Sequence, residues 1–179
     1  MKIGMNRLHL FILLFAASSL LFQLPSGAFA FDPSNIAALD TAIDEEDGFT
    51  ELLHATHVAT FTIGSSTYAI VTGQDDDGVQ IIDISDPNKI VAMDAETDGV
   101  NGFTELEGAY GVETFTIGSS TYAIVTGQDD NGVQIIDISD PSNIVAKDSA
   151  ANTTFGGDFD GLWMPTTVAI FTIGSSTYA

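Results

Sequence analysis

The nine residues Phe-Thr-Ile-Gly-Ser-Ser-Thr-Tyr-Ala occur at 61–69, at 115–123 and at 171–179, spaced by 54 and 56 residues. A chain that repeats itself at such a period builds its fold from copies of one unit, each covering a face its neighbour cannot bury alone. Laying residues 48–101 over 102–155 gives 38 identities in 54 positions, with unbroken runs at 61–76 with 115–130 and at 78–87 with 132–141. Two whole units are therefore expected, 48–101 and 102–155. Residues 31–47 are read as the last strand of a partial unit, because 32–40 match 140–148. Residues 156–179 are read as the start of a third.

Within one unit the signals are those of β-structure. Val58 to Ile63 alternates, with Phe61 and Ile63 on one side and Thr60 and Thr62 on the other, and Gly64-Ser65-Ser66 supplies a turn. Residues 68–72 and 79–84 are apolar on both faces and rich in β-branched residues, which predicts two strands buried between layers. Between them lies Gln74-Asp75-Asp76-Asp77-Gly78, where Asp-Gly tolerates the positive φ of a tight hairpin. Asp86-Pro87-Asn88 closes another turn, because proline fixes φ and its neighbours bond to nearby backbone. A shorter fourth strand is expected over 90–93, and residues 94–108 read as a long linker. Four consecutive antiparallel strands per unit predict an all-β protein of tandem β-propeller-like blades, incomplete at both ends. A pair of packed sheets is the alternative.

The run Gly-Val-Gln-Ile-Ile-Asp-Ile-Ser-Asp-Pro, at 78–87 and 132–141, resembles the core of the LVIVD-repeat family. That resemblance extends over the chain from about residue 31 onward. It implies a secreted or cell-surface protein of propeller type, and it brings no catalytic motif to transfer. The long linker departs from the family pattern.

Residues 1–30 read as a signal peptide. Lys2 and Arg7 precede an apolar stretch from Leu10 to Phe22, and Ala28-Phe29-Ala30 places small residues where a signal peptidase reads, so cleavage is expected before Phe31. The apolar run is shorter than a spanning helix requires, and no later segment is long enough either. Secretion or display at the cell surface is the expected location. The chain has no Cys, so in that oxidising setting its stability must come from packing, repetition or bound ions.

Charge narrows the partners. Asp and Glu number 25 against 4 Lys and Arg, a net charge of −21, and no basic patch exists to attract phosphate. Nucleic acid is excluded as a partner on that ground. An apolar fraction of 45% is that of a chain with a core rather than a disordered acidic tail. Antiparallel order puts the 74–78 loop and the linker at one end of each unit, the top. Asp75, Asp76, Asp77, Glu96, Asp98 and Glu105 gather there with Glu107, Asp129 and Asp130, while the bottom turns are mostly neutral.

Calcium is the one cofactor this pattern suggests. Hard carboxylate oxygens in a Gly-containing turn suit the ion, which makes Asp75, Asp76, Asp77, Asp129, Asp130 and Asn131 candidate ligands. An EF-hand is absent: aligning Gly78 with its central glycine puts Gly73 and Ile84 where acids are required. Asp83 and Asp137 lie within strands and are read as structural hydrogen-bond acceptors. His54 and His57 sit three apart in an extended segment, point to opposite faces and align with Gly108 and Gly111 in the second unit, so they are not read as a metal pair.

Catalysis finds no foothold and no catalytic residue is named. No His lies in the recurring core, Ser65-Ser66 sit in a turn without a base at defined spacing, and nothing singles out two carboxylates for glycoside chemistry. The residues leading into each first strand, 53–59, 107–113 and 163–170, vary while the strands do not. A varied rim on a constant scaffold suits recognition, with Tyr110, Trp163 and Met164 as anchors for a protein or glycan partner. The expected function is an exported, non-enzymatic repeat module for binding or surface structure with the acidic face as its interaction surface. The alternatives are a calcium-stabilised structural or adhesive component and, at lower weight, a secreted propeller hydrolase or lyase. Unpaired strand edges at the two ends predict self-association.

Overall fold

The computed structural model describes residues 38–152, 159 and 161–179. The expected signal peptide, its expected cleavage point and the start of the expected first partial unit lie outside them. Among the described residues no helix is long and apolar enough to cross a membrane. The repeated units become two antiparallel sheets of four strands each. The first blade consists of β1 (Ala55–Ile63), β2 (Ser66–Gly73), β3 (Gly78–Asp83) and β4 (Val91–Thr97) in that order. The second consists of β5 (Ala109–Ile117), β6 (Ser120–Gly127), β7 (Gly132–Asp137) and β8 (Val145–Ala151), again in chain order. The third copy of the nonapeptide forms only a hairpin, β9 (Phe171–Ile173) with β10 (Ser176–Tyr178).

Register follows the repeat. Phe61 stands opposite Tyr68 and Phe115 opposite Tyr122, and the same pairing recurs between Phe171 and Tyr178. Each pair stacks, with ring centroids 5.4, 5.6 and 5.5 Å apart, so all three hairpins share one geometry. The hairpin loops carry Asp77 and Asn131 at φ 56°, the left-handed conformation that an Asp-Gly or Asn-Gly turn tolerates.

The fourth strand is longer than its apolar stretch suggests. It runs to Thr97, so Asp94 and Glu96 belong to the sheet and not to a linker. A bulge allows this: Ile81 faces Asp94 while Ile82 faces Ala92, leaving Met93 as the extra residue. Residues 38–43 carry no strand.

Alternate side chains of each sheet serve two different contacts. One face of the first blade, with Phe61, Ile70, Val79 and Ile81, meets the opposite face of the second, with Ala123, Val125, Ile136 and Ile138, and Phe103 and Leu106 complete this core. The first blade's other face, with Ala69 and Ile82, is covered by Phe49 from the segment preceding β1.

Candidate functional site

The acidic end of the blades is built from the loops that the sequence places there. In each unit the segment before the first strand folds down over the β-hairpin. Buried Gln80 accepts a hydrogen bond from the Thr50 N–H at 3.0 Å and donates to the Asp94 carbonyl at 3.0 Å. Gln134 does the same with Thr104 at 3.1 Å and Asp148 at 2.9 Å. Each glutamine thereby satisfies backbone groups that burial would otherwise strand. The fold brings Glu51 and Glu105 directly over Gly78 and Gly132. A Cβ at either glycine would run into the carboxylate above it. The motif Gly-Phe-Thr-Glu-Leu, at 48–52 and 102–106, marks this arrangement in the sequence. Recurrence alone could have pointed to Glu51, Gln80 and Gln134, which patterning by loop acidity passes over.

Most candidate ligands are engaged with backbone. The Leu53 N–H donates to Asp76 at 2.7 Å, and the Glu107 N–H donates to Asp130 at 2.8 Å. Asp77 accepts from the Gly108 N–H at 2.8 Å, reaching from the first blade to the second. Asn131 accepts from the Met164 N–H at 2.9 Å, the corresponding contact one unit later. Asp75 lies 3.4 Å from His54 Nδ1 at the exposed rim, and Asp129 is exposed. Among the described residues no three His, Asp or Glu side chains converge as a group that could hold a metal ion.

The carboxylates nonetheless share one electrostatic field. Burial pushes Glu105 up to about 7, with Asp130 and Asp98 adding like-charge repulsion. Burial also carries Asp130 up to about 6, against the Glu107 N–H that favours its charged form and with repulsion from Asp98, Glu107 and Asp77. Glu51 is raised by burial, opposed by the Thr97 hydroxyl that donates to it at 2.7 Å, and further by Asp76, Asp44 and Asp77. Its second oxygen, Oε2, is buried without a hydrogen-bond partner.

The in-strand acids are structural. Asp83 accepts from the Ser85 N–H at 2.8 Å and Asp137 from the Ser139 N–H at 3.0 Å, with Lys147 Nζ 3.2 Å from Asp137. Burial works to raise Asp137, but these partners outweigh it and hold its carboxyl below the usual range. His54 and His57 do not meet on one ion: His54 faces Asp75, and the His57 ring lies 5.7 Å from that of Tyr110.

The three candidate anchors sit in different surroundings. The Tyr110 carbonyl accepts from the hydroxyls of Thr56 at 2.9 Å and Thr72 at 2.7 Å, so its backbone is part of the seam between blades. Trp163 is 75% exposed and Met164 is half exposed, in the segment approaching β9. Beside this segment the second blade carries an apolar groove of about 670 Å³ that sequence reading did not anticipate.

No curated protein matches the chain. Two stretches match the model of the LVIVD repeat, at 65–94 and 119–151; the first runs from the β1–β2 turn into β4, and the second from the β5–β6 turn to the end of β8. The chain therefore carries two LVIVD repeats, one in each blade.

Proposed function

We propose that this chain is an exported, non-enzymatic repeat module that binds cations, a basic protein or a glycan through its acidic face. The observation that carries this reading is the gathering of Glu105, Asp130 and Asp98 at one end of the blades, where burial first and the like charges of Asp130 and Asp98 second raise Glu105 to about 7. Like charges held together by a rigid scaffold draw in a counter-charge. Residues 1–30 support export, through the charged start, apolar stretch and small-residue end. An oligolysine peptide serves as the probe of a basic partner. It is expected to bind with an affinity that falls steeply with salt and drops in Asp98→Asn combined with Asp130→Asn. Binding indifferent to those substitutions overturns the reading.

A second reading, calcium stabilisation of a structural or adhesive component, is favoured by one observation, the unpartnered and buried Oε2 of Glu51. On this reading Ca²⁺ raises the melting temperature near neutral pH and loses that effect in Glu51→Gln. An unchanged melting temperature rejects it. Hydrolysis or lyase activity that survives conversion of the loop acids to amides would reject both in favour of an enzyme.

A further inference from the structure

The chain has two Asn-Gly steps, Asn101-Gly102 and Asn131-Gly132, and both stand in the second unit where the first has Asp47-Gly48 and Asp77-Gly78. Their surroundings differ. Asn131 is half-buried, its Oδ1 accepts from the Met164 N–H at 2.9 Å, its Nδ2 donates to the Asp129 carbonyl at 3.2 Å, and Gly132 is buried at the start of β7. Asn101 and Gly102 are exposed at the tip of a tight turn, at φ 52° and 89°. Two backbone bonds close that turn: the Phe103 N–H donates to the Val100 carbonyl at 2.9 Å, and the Gly99 N–H donates to the Phe103 carbonyl at 2.8 Å. Among the described residues the Asn101 side chain bonds to one group, the Glu96 carboxylate, with Nδ2 3.2 and 3.1 Å from its two oxygens.

We propose that Asn101 is a site of spontaneous covalent modification, losing its amide to become aspartate or isoaspartate and so exchanging a donor to Glu96 for a like charge. The Gly102 backbone nitrogen gives its proton to solvent hydroxide and attacks Asn101 Cγ, closing a five-membered succinimide. The Cγ–Nδ2 bond breaks, and ammonia leaves with a proton taken from water. Water then opens the ring, giving aspartate by attack at the Cγ carbonyl and isoaspartate by attack at the backbone carbonyl. Gly102 has no side chain to crowd its nitrogen. Ring closure needs the tip to swing out of its left-handed conformation, which exposed turn residues do at lower cost than residues tied into a strand. The first unit shows what the product would meet. There the residue at the Glu96 position is Ala42, and Asp47 and Gly48 hold the same turn at φ 51° and 89°. An aspartate therefore fits the backbone, and the second unit differs in setting an acid beside it. The isoaspartate product also carries one extra backbone carbon just ahead of Phe103, which is 1% exposed in the core between the blades. This chemistry stands whether or not the acidic face binds a partner.

The test incubates the full chain at mildly alkaline pH and locates the gain of about 1 Da that marks amide loss by peptide mass spectrometry. Asn101 should react at least about tenfold faster than Asn131, at a rate that rises with pH. A capped synthetic peptide of residues 99–104 gives the rate of the unconstrained step. Asn101→Asp should melt below the parent by on the order of 2 °C, and the difference should vanish when both are compared in a Glu96→Ala background. The proposal is overturned if Asn101 keeps its amide while the peptide loses it, or if Asn131 reacts as fast. It is equally overturned if Asn101→Asp melts with the parent, or if Glu96→Ala leaves the difference in place.

Discussion

The two blades are nearly the same sequence and are not buried in the same way. Val79 and Ile81 are fully buried in the first blade, while Val133 and Ile135, their counterparts 54 residues on, are half-buried. The opposite faces reverse this order: Val125 and Ile138 are fully buried, whereas Val71 and Ile84 are half-buried. The nonapeptide shows the same gradient, with Phe61 7% exposed and Phe171 52% exposed. Identical side chains on identical strands differ because their neighbours differ. Stability in a stacked array thus resides in the seams between units as much as in the units themselves.

The largest test of that asymmetry is truncation on equivalent strands. Ile81→Ala should cost about 2–5 kcal/mol in urea unfolding, as expected for a fully buried isoleucine, and Ile135→Ala less than half as much. The order should invert on the other face, with Ile138→Ala costing more than Ile84→Ala. Equal losses at Ile81 and Ile135 would show that their burial does not differ in solution.

A second comparison asks where the blades are alike. Gly78→Ala and Gly132→Ala should each destabilise by about 1–3 kcal/mol, because the added methyl displaces the glutamate above it. Similar melting midpoints for the two variants would show that this contact belongs to the unit and not to the seam.

The next effect separates unit from seam through one aspartate. Asp94 accepts from the Ile144 N–H across the seam at 2.7 Å, and Asp40 makes the corresponding contact with Ile90 at 2.8 Å. Among the described residues the equivalent Asp148 side chain accepts only from the adjacent Ser149 N–H, at 3.0 Å. Asp94→Ala should cost about 1–2 kcal/mol by stranding the buried Ile144 N–H, and Asp148→Ala under about 0.5 kcal/mol. Comparable losses by thermal unfolding would break the comparison.

The smallest effect is that of pH. Glu105 and Asp130 hold their protons more tightly folded than unfolded, at about 7 and about 6. Their contribution to stability is complete below the ordinary carboxylate range and is lost as pH rises through those values. The melting temperature should therefore be higher near about pH 5 than near about pH 7.5, by on the order of 2 °C because both groups are partly solvated. Glu105→Gln should flatten the profile.

Much of the fold was legible beforehand because its signals are local. The Asp-Gly turn, the alternation of Phe61 and Ile63 and the apolar run at 79–84 each specify a strand or a hairpin from neighbouring residues. The end of β4 was not, because Asp94 and Glu96 look like loop residues until a bulge and a contact in the next unit engage them. The acidic face was legible in most of its membership, Glu51 excepted. The individual tasks were not: Asp76 and Asp130 secure their own unit, while Asp77 reaches into the next.

Sequence by itself determined the repeating unit, its strand order and the end at which charge collects, since each depends on residues close together in the chain. Tertiary structure alone decided which copy of each face is buried and which carboxylates feel one another. Those outcomes depend on what lies across a seam, and a residue repeated 54 positions away carries no mark of which neighbour it will meet.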